Sequence, residues 1–394
     1  MNEDSSKSAR KSRIRLPSGK DFAVIAVSTI FSIMLVEAGL RIWLNHFSTH
    51  SQYIKYSLYT DVPTEMYQWS PHHYLNYHPT PGYKKGLTYH NSLGYRSREF
   101  NPEKPEDTYR IVTLGGSTTY TVSVKDNGQT FPYQLERILR DDYGKENIEV
   151  INAGAGGYNS WESLINLQFR VLDIDPDLVI VYHGTNDIHT RLVSPEAYKG
   201  DNSGRRMQWN PPDIAFFEHS TLLRYIGRKT GLSSQTGLGT LVNAPSYFGA
   251  GGEQWRNTKG PVAEQRAAEL LKKNPPVYFR RNLINMASIA KANNVSIAFA
   301  TWAHSPHFSD YAATGVYQAG FRENNKVVKE VANHSGTYLF DFAAVMPQDR
   351  KYWSDGRHVN ETGALLKARL FADFIHDSGV LDKTAKDKSE DERH

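Results

Sequence analysis

The chain has 394 residues, 39% hydrophobic and 22% charged, room for one large domain or two modest ones with appendages. Its net charge of +4 sits in residues 1–20, where Lys7, Arg10, Lys11, Arg13, Arg15 and Lys20 outnumber Glu3 and Asp4. The remainder is neutral on balance, so the charge gives no argument for nucleic-acid binding. There are no cysteines, which excludes disulfides, thiolate metal sites and a cysteine nucleophile.

The first predicted element is a membrane anchor over residues 22–44. Its apolar run, Phe22 to Leu40, carries one charge, Glu37, and approaches the roughly 20 apolar residues that cross a bilayer core. The basic residues of 1–21 precede it. The positive-inside tendency then places the N-terminus in the cytoplasm and the rest of the chain in the periplasm or outside. A cleaved signal peptide wants a shorter run and a small-x-small site, which Val36 to Leu40 supplies poorly. A single-pass, uncleaved anchor is expected, with Trp43 in the interfacial aromatic belt and Glu37 near the outer interface. Residues 45–107, rich in Tyr, His and Pro, read as a connector that packs against the next domain. Within it Tyr89 to Arg96 alternates like a short hairpin. His72, His73 and His78 lack a metal-ligand spacing and read as packing or solvated residues.

A domain over 108–380 follows. Strand-like and helix-like runs alternate: Tyr109–Leu114, helix Thr130–Tyr143, Ile148–Ile151, helix Ser160–Leu172 with Ser160 as its cap, and Asp177–Tyr182. The alternation resumes with a helix over 278–293, Val295–Thr301, helix Val316–Ala332, Thr337–Phe342 and helix Glu361–Asp377. The rhythm predicts an α/β fold, a three-layer α/β/α sandwich on a mainly parallel five-stranded sheet, preceded by one transmembrane helix. It breaks over 191–274, a Gly-, Pro- and aromatic-rich insertion too long for an ordinary connection, part loop (Ser246 to Gly252) and part helix (Ala263–Lys273). Residues 381–394 read as a charged, disordered tail.

Four short motifs carry the chemistry. Gly115-Gly116-Ser117-Thr118 ends the first strand, Asn152 to Gly157 follows the second, Gly184-Thr185-Asn186-Asp187 follows the third, and Asp355-Gly356-Arg357-His358 precedes the last helix. Ligands of open α/β sheets bind at the carboxyl ends of the strands, so the first three should meet at one edge. Ser117 is the candidate nucleophile and needs an adjacent base. His358 is that base, and Asp355 can hold its other ring nitrogen. The backbone N–H groups of Ser117 and Gly157 and the side-chain amide of Asn186 would form the oxyanion hole. Gly116, Thr118, Asp187, Trp302 and His304 could line the pocket, with His307 nearby; structural aromatics and histidines are as frequent in such places. His183 reads as a packed residue beside the oxyanion loop. Each motif alone has a plain reading as a turn, a cap or a surface pair. The first lacks the lysine of a P-loop and the last glycine of the G-x-S-x-G elbow. The second is no dinucleotide fingerprint.

The four blocks together resemble the SGNH hydrolase superfamily, the GDSL-like esterases and lipases, over roughly residues 108–190 and 295–376. The signature letters fall on Ser117, Gly157, Asn186 and His358. The resemblance implies a flavodoxin-like sandwich, a Ser–His–Asp triad completed by Asp355, and no metal or cofactor. Asn91 to Arg96 resembles an element found upstream of the domain in bacterial relatives. One departure stands out: the family's Gly-Asp-Ser is Gly-Gly-Ser here, with Gly116 in place of the acid. The expected activity is hydrolysis of acyl esters, O-acetyl or other short chains of an envelope glycan or similar substrate. An O-acyltransferase, a lipase or, at the far end, a non-catalytic glycan-binding protein are the alternatives.

Overall fold

The computed structural model describes residues 18–210, 213–234 and 261–381. The basic residues 1–17, the Ser246 to Gly252 run and the tail beyond Leu381 lie outside the described residues. The chain forms two compact units, Met1–Val62 with Asp213–Gln235, and Pro63–Pro212 with Thr236–His394. Residues 45–62 of the expected connector thus belong to the first unit and residues 63–107 to the second.

The second unit is built on five parallel strands: β1 (Tyr109–Gly115), β2 (Ile148–Asn152), β3 (Leu178–Tyr182), β4 (Ser296–Ala300) and β5 (Tyr338–Phe340), in the order β2-β1-β3-β4-β5. Alternate residues of β1 face opposite layers. Ile111 joins Phe131, Leu135 and Phe371 on one side; Val112 and Leu114 join Leu167, Met286 and Val328 on the other. Burial on both faces is why these strands read as unbroken apolar runs. The order changes direction between β1 and β3, so the crevice at their carboxyl ends is the topological switch point. One core position is a lysine. Lys367 is fully buried, with its ammonium 4.1 Å from the Phe131 ring and 3.9 Å from that of Tyr182, and it donates to the Thr118 carbonyl at 3.3 Å.

Three expectations need correction. The helix expected over Ser160–Leu172 is α-helical only for Ser160–Asn166 and continues as a π turn, Leu167–Val171, and a 3-10 turn, Leu172–Ile174. Its cap is Asn159, not Ser160. Asn159 accepts from the N–H groups of Trp161 and Glu162, and Glu162 returns a bond to the Asn159 N–H. Ser160 cannot cap because its hydroxyl is engaged with Asp187. The hairpin expected over Tyr89 to Arg96 is a turn. Asn91 Oδ1 accepts from the N–H groups of Leu93 and Tyr95, and the strand pairing at this point joins Lys84–Lys85 to Thr88–Tyr89, ending where the expected hairpin begins. Just before it, Trp69–His72 and Asn76–Pro79 form an antiparallel hairpin. Within the insertion the helix runs Pro261–Lys273.

In the first unit a 28-residue helix, Gly19–His46, exceeds the expected 22–44 and is long and apolar enough to cross a membrane. Ser18 and Asp21 cap its start reciprocally.

Candidate active site

Ser117 opens a one-turn helix, Ser117–Tyr120, directly after β1. The turn is tight because Gly115 has no side chain: a Cβ there would lie 2.5 Å from the Tyr182 carbonyl. Gly154 lets the loop after β2 approach equally closely, since a Cβ there would meet the Tyr120 nitrogen at 2.5 Å. Ser117 Oγ lies 2.8 Å from His358 Nε2, and His358 Nδ1 lies 2.8 Å from Asp355 Oδ2. The Asp355 carboxylate also accepts the backbone N–H groups of Arg357 (2.7 Å) and His358 (2.8 Å), which closes the loop around the ring. Gly356 seats that loop: its N–H donates to Asp310, and a Cβ would meet Asp310 Oδ1 at 2.6 Å. Burial acts to raise the Asp355 carboxyl. The hydrogen bond from His358, its charge and that of Arg357 outweigh burial and hold it well below the usual carboxylate range.

Gly157 and Asn186 are the other two candidate donors. The N–H groups of Ser117 and Gly157 have no acceptor among the described residues. Asn186 Nδ2 donates to the Tyr158 carbonyl at 2.8 Å, leaving its second amide hydrogen. Two peptide planes around Gly157 are pinned by residues the sequence reading passed over. Tyr77 Oη, from the hairpin ahead of the sheet, donates to the Gly156 carbonyl at 2.6 Å. In a trans peptide C=O and N–H point oppositely, so this bond turns the Gly157 N–H away from the hairpin. The Gly157 carbonyl accepts from Arg205 (2.9 Å) and Arg206 (2.8 Å), and Arg205 also donates to the Asn186 carbonyl (3.1 Å). Arg206 is in turn paired with the buried Glu162 at 2.6 Å. Gly157 takes φ +84, the left-handed region that favours glycine, and a Cβ there would meet Tyr77 Oη at 2.6 Å.

Residues 113–366 match the model of the GDSL-like Lipase/Acylhydrolase family. The chain belongs to that family. It is therefore an acylhydrolase, an enzyme that cleaves carboxylic esters. A search of curated proteins found no match. Similar solved structures include the lipase/acylhydrolase from Enterococcus faecalis (18% identity, 68% of this chain and 95% of that one, TM-score 0.40). Another is an acetyl xylan esterase from Geobacillus stearothermophilus (14%, 70% and 97%, TM-score 0.41). A third is a GDSL-like lipase from Bacteroides thetaiotaomicron VPI-5482 (15%, 70% and 92%, TM-score 0.37).

The acylhydrolase departs from the family's acid at Gly116 for a visible reason. A Cβ there would lie 2.7 Å from Asn186 Nδ2 and 2.9 Å from the Tyr158 carbonyl. Of the residues expected near the pocket, Thr118 is buried beneath the turn and Trp302 is buried in the core, stacked on Tyr182 at 4.8 Å between ring centres. Gly184 makes room for that ring, because a Cβ would fall 2.3 Å from it. A ring clamped between strand and helix cannot line a pocket, so Trp302 is corrected to a packing residue. His304 is half-buried against Phe321 at 4.6 Å, and His307 is exposed. Asp187 points inward, away from the rim. It accepts from the Ser160 N–H (3.0 Å) and hydroxyl (2.5 Å), tying the Gly184 loop to the helix after Gly157. His183 is buried, bonded to Ser163 Oγ at 2.7 Å. His72 and His78 pack edge to face, with ring centres 4.8 Å apart. Two partly exposed rings adjoin the machinery instead: Trp69 packs on Gly156, and Tyr311 lies 4.2 Å under the Arg357 guanidinium.

The signal for Glu162 was present in the Asn159-x-x-Glu162 spacing of a capping box. Nothing local in the sequence marks Tyr77, Arg205 or Arg206, because their partners lie tens of residues away.

Proposed function

We propose that this acylhydrolase is a serine esterase that removes O-acetyl or other short acyl groups from an envelope glycan or similar acylated substrate, through an acyl-serine intermediate on Ser117. The observation that carries the reading is the unbroken Ser117–His358–Asp355 relay, with both links at 2.8 Å. Ser117 Oγ attacks the ester carbonyl carbon while its proton passes to His358 Nε2. Asp355 holds the ring by Nδ1 and stabilises the imidazolium. The oxyanion collects the N–H groups of Ser117 and Gly157 and the Asn186 amide. The alcohol leaves with the proton from His358. Water then attacks the acyl carbon while giving a proton to His358 Nε2, and His358 passes that proton to Ser117 Oγ as the serine leaves and the acid is released. Tyr77, Arg205 and Arg206 act as positioning residues that hold the Gly157 and Asn186 donors in place. Trp69 and Tyr311, partly exposed at the site, offer rings on which a sugar can lie.

The anchor reading stands beside this. The Gly19–His46 helix crosses the membrane once, the N-terminus is cytoplasmic and residues 63–380 work on the outer side. The decisive experiment labels the folded protein with a fluorophosphonate and maps the adduct, then follows acid release from esters of graded chain length. The adduct is expected on Ser117, with acetyl esters cleaved fastest. An unlabelled Ser117, with no acetate or p-nitrophenol released from any short-chain ester, overturns the proposal. A preference for long chains transfers the substrate class to lipids.

A further inference from the structure

The first unit contains an amphipathic helix turned inside out. Over Thr221–Thr230 the buried positions include Arg224 and Arg228, while Leu223 and Ile226 are exposed. Both arginines bond inward. Arg224 Nε donates to the Tyr56 carbonyl at 2.6 Å, and Arg228 Nη1 to the Ser57 carbonyl at 2.7 Å, with Glu218 as its carboxylate partner. Just before the helix Phe216 is 94% exposed with Phe217 beside it, and just after it Leu232 is 84% exposed. A helix bathed in water arranges its residues the other way round.

This apolar face is joined to the membrane-spanning helix. Glu37 of that helix accepts from the N–H groups of Thr221 (2.8 Å) and Leu222 (2.8 Å) and from the Ser220 hydroxyl (3.0 Å). Arg41, one turn on, bonds the same carboxylate at 2.8 Å. At about 1.5 Å rise per residue, Glu37 lies roughly 25 Å along the helix from Lys20, near the far edge of a hydrocarbon core about 30 Å thick. Trp43, about 9 Å further along the helix, packs on Tyr225 (6.1 Å) and Tyr56 (6.3 Å) in an aromatic cluster just beyond that edge. Amphipathic rings gather at that level of a membrane.

We infer that residues 216–232 form a second membrane contact, an interfacial helix whose Phe216, Phe217, Leu223, Ile226 and Leu232 enter the lipid beside the spanning helix, with Glu37 fastening the two. The occupant of the apolar face is the bilayer interface. Buried basic residues and outward apolar ones are what a helix lying in that layer requires of its two sides. Lys229 sits at the rim of the face, where its long stem reaches water. The insertion in the hydrolase sequence then has a role: its middle leaves the catalytic unit and returns to the anchor. The inference rests on the reading that Gly19–His46 spans the membrane.

The test exploits a chain without cysteines. Single variants Val27→Cys, Leu223→Cys, Ile226→Cys and Lys326→Cys of the full chain carry a nitroxide in phosphatidylethanolamine–phosphatidylglycerol vesicles. Accessibility to oxygen and to a water-soluble nickel chelate is measured for each. The inference expects positions 223 and 226 to show an oxygen-to-nickel ratio severalfold above that of the water-exposed position 326, towards the value at 27. Nickel access at 223 and 226 equal to that at 326, with 27 still in lipid, overturns the inference and leaves the anchor standing. Low access to both probes with spin–spin broadening at 223 assigns the face to a second copy of the chain and also overturns it. Nickel access at 27 removes the spanning helix and this contact together.

Discussion

Ser117, His358 and Asp355 on one hand, and Ser163, His183 and Asp187 on the other, bring the same three residue types together twice in one unit. Both serines bond an imidazole Nε2, at 2.8 and 2.7 Å. The sets differ in what lies around them. Asp355 grips His358 Nδ1 at 2.8 Å, whereas Asp187 stands 3.7 Å from His183 Nδ1 and gives its oxygens to Ser160. Ser117 and His358 are partly exposed, with unspent N–H donors beside the serine; Ser163 and His183 are sealed in. Burial pushes His183 down to about 3 and Asp187 up to about 7, the latter against the Ser160 hydrogen bonds. Burial that disfavours charge on both His183 and Asp187 opposes the imidazolium–carboxylate pair that general-base catalysis needs. Three residue types in reach of one another therefore make a structural strut or a catalytic relay according to solvent access and the donors left over.

The largest expected effect separates the two sets directly. Ser117→Ala should lower kcat/KM by about 10⁴-fold or more, while Ser163→Ala changes it by less than about threefold and acts on stability instead, through one lost buried hydrogen bond. Steady-state kinetics on a p-nitrophenyl ester read both. Equal losses would erase the distinction.

The oxyanion donors come next. Asn186→Ala should cost about 10²–10³ in kcat with KM little changed. Gly116→Asp, which restores the family's acid, should cost a comparable amount here because its side chain displaces the Asn186 amide. An active Gly116→Asp enzyme would show that the close approach at Gly116 does not govern the donor.

A smaller loss probes the support behind the donors. Tyr77→Phe removes one hydrogen bond to the Gly156 carbonyl, and a net bond is about 0.5–1.5 kcal/mol, so kcat should fall about two- to tenfold with KM unchanged. An effect on KM alone would make Tyr77 a substrate contact.

The smallest effect concerns the buried set and pH. Asp187 holds its proton in the fold up to about 7, whereas the unfolded chain releases it near 3.8. The stability this contributes is full below the lower value and is lost as pH rises to the higher one. His183 opposes it: neutral in the fold, it costs stability as pH falls below 6.5 towards about 3. Asp187→Asn should remove the first slope, so its urea midpoint relative to the parent's rises between these pH limits. A constant difference across that range would mean that Asp187 is ionised in the fold.

Most of the sheet was legible because each strand is buried on both faces and reads as a short apolar run between turn residues. Tyr109–Leu114 and Asp177–Tyr182 fall within a residue or so of β1 and β3. The helix after Asn159 was read too long because its apolar spacing continues past Asn166. Its backbone instead widens into a π turn, a change in hydrogen-bond register that side-chain periodicity does not encode. Trp302 was placed at the pocket because it follows a strand end, the usual place for site residues. Its fate was decided by Gly184, whose missing side chain lets the ring fold inward.

By itself the sequence determined the strand and helix order, the long apolar N-terminal helix and the candidate set Ser117, His358 and Asp355, because each depends on residues close together or on a motif order tied to strand ends. Tertiary structure alone decided which of two Ser–His–Asp sets faces solvent and which distant groups hold Gly157 and Asn186 in place. It alone also decided where the insertion goes. These depend on contacts such as Tyr77 with Gly156, Arg205 with Gly157 and Glu37 with Thr221, between residues 48 to 184 positions apart. Only the folded chain brings such groups within hydrogen-bonding distance, and no local pattern of side chains announces the meeting.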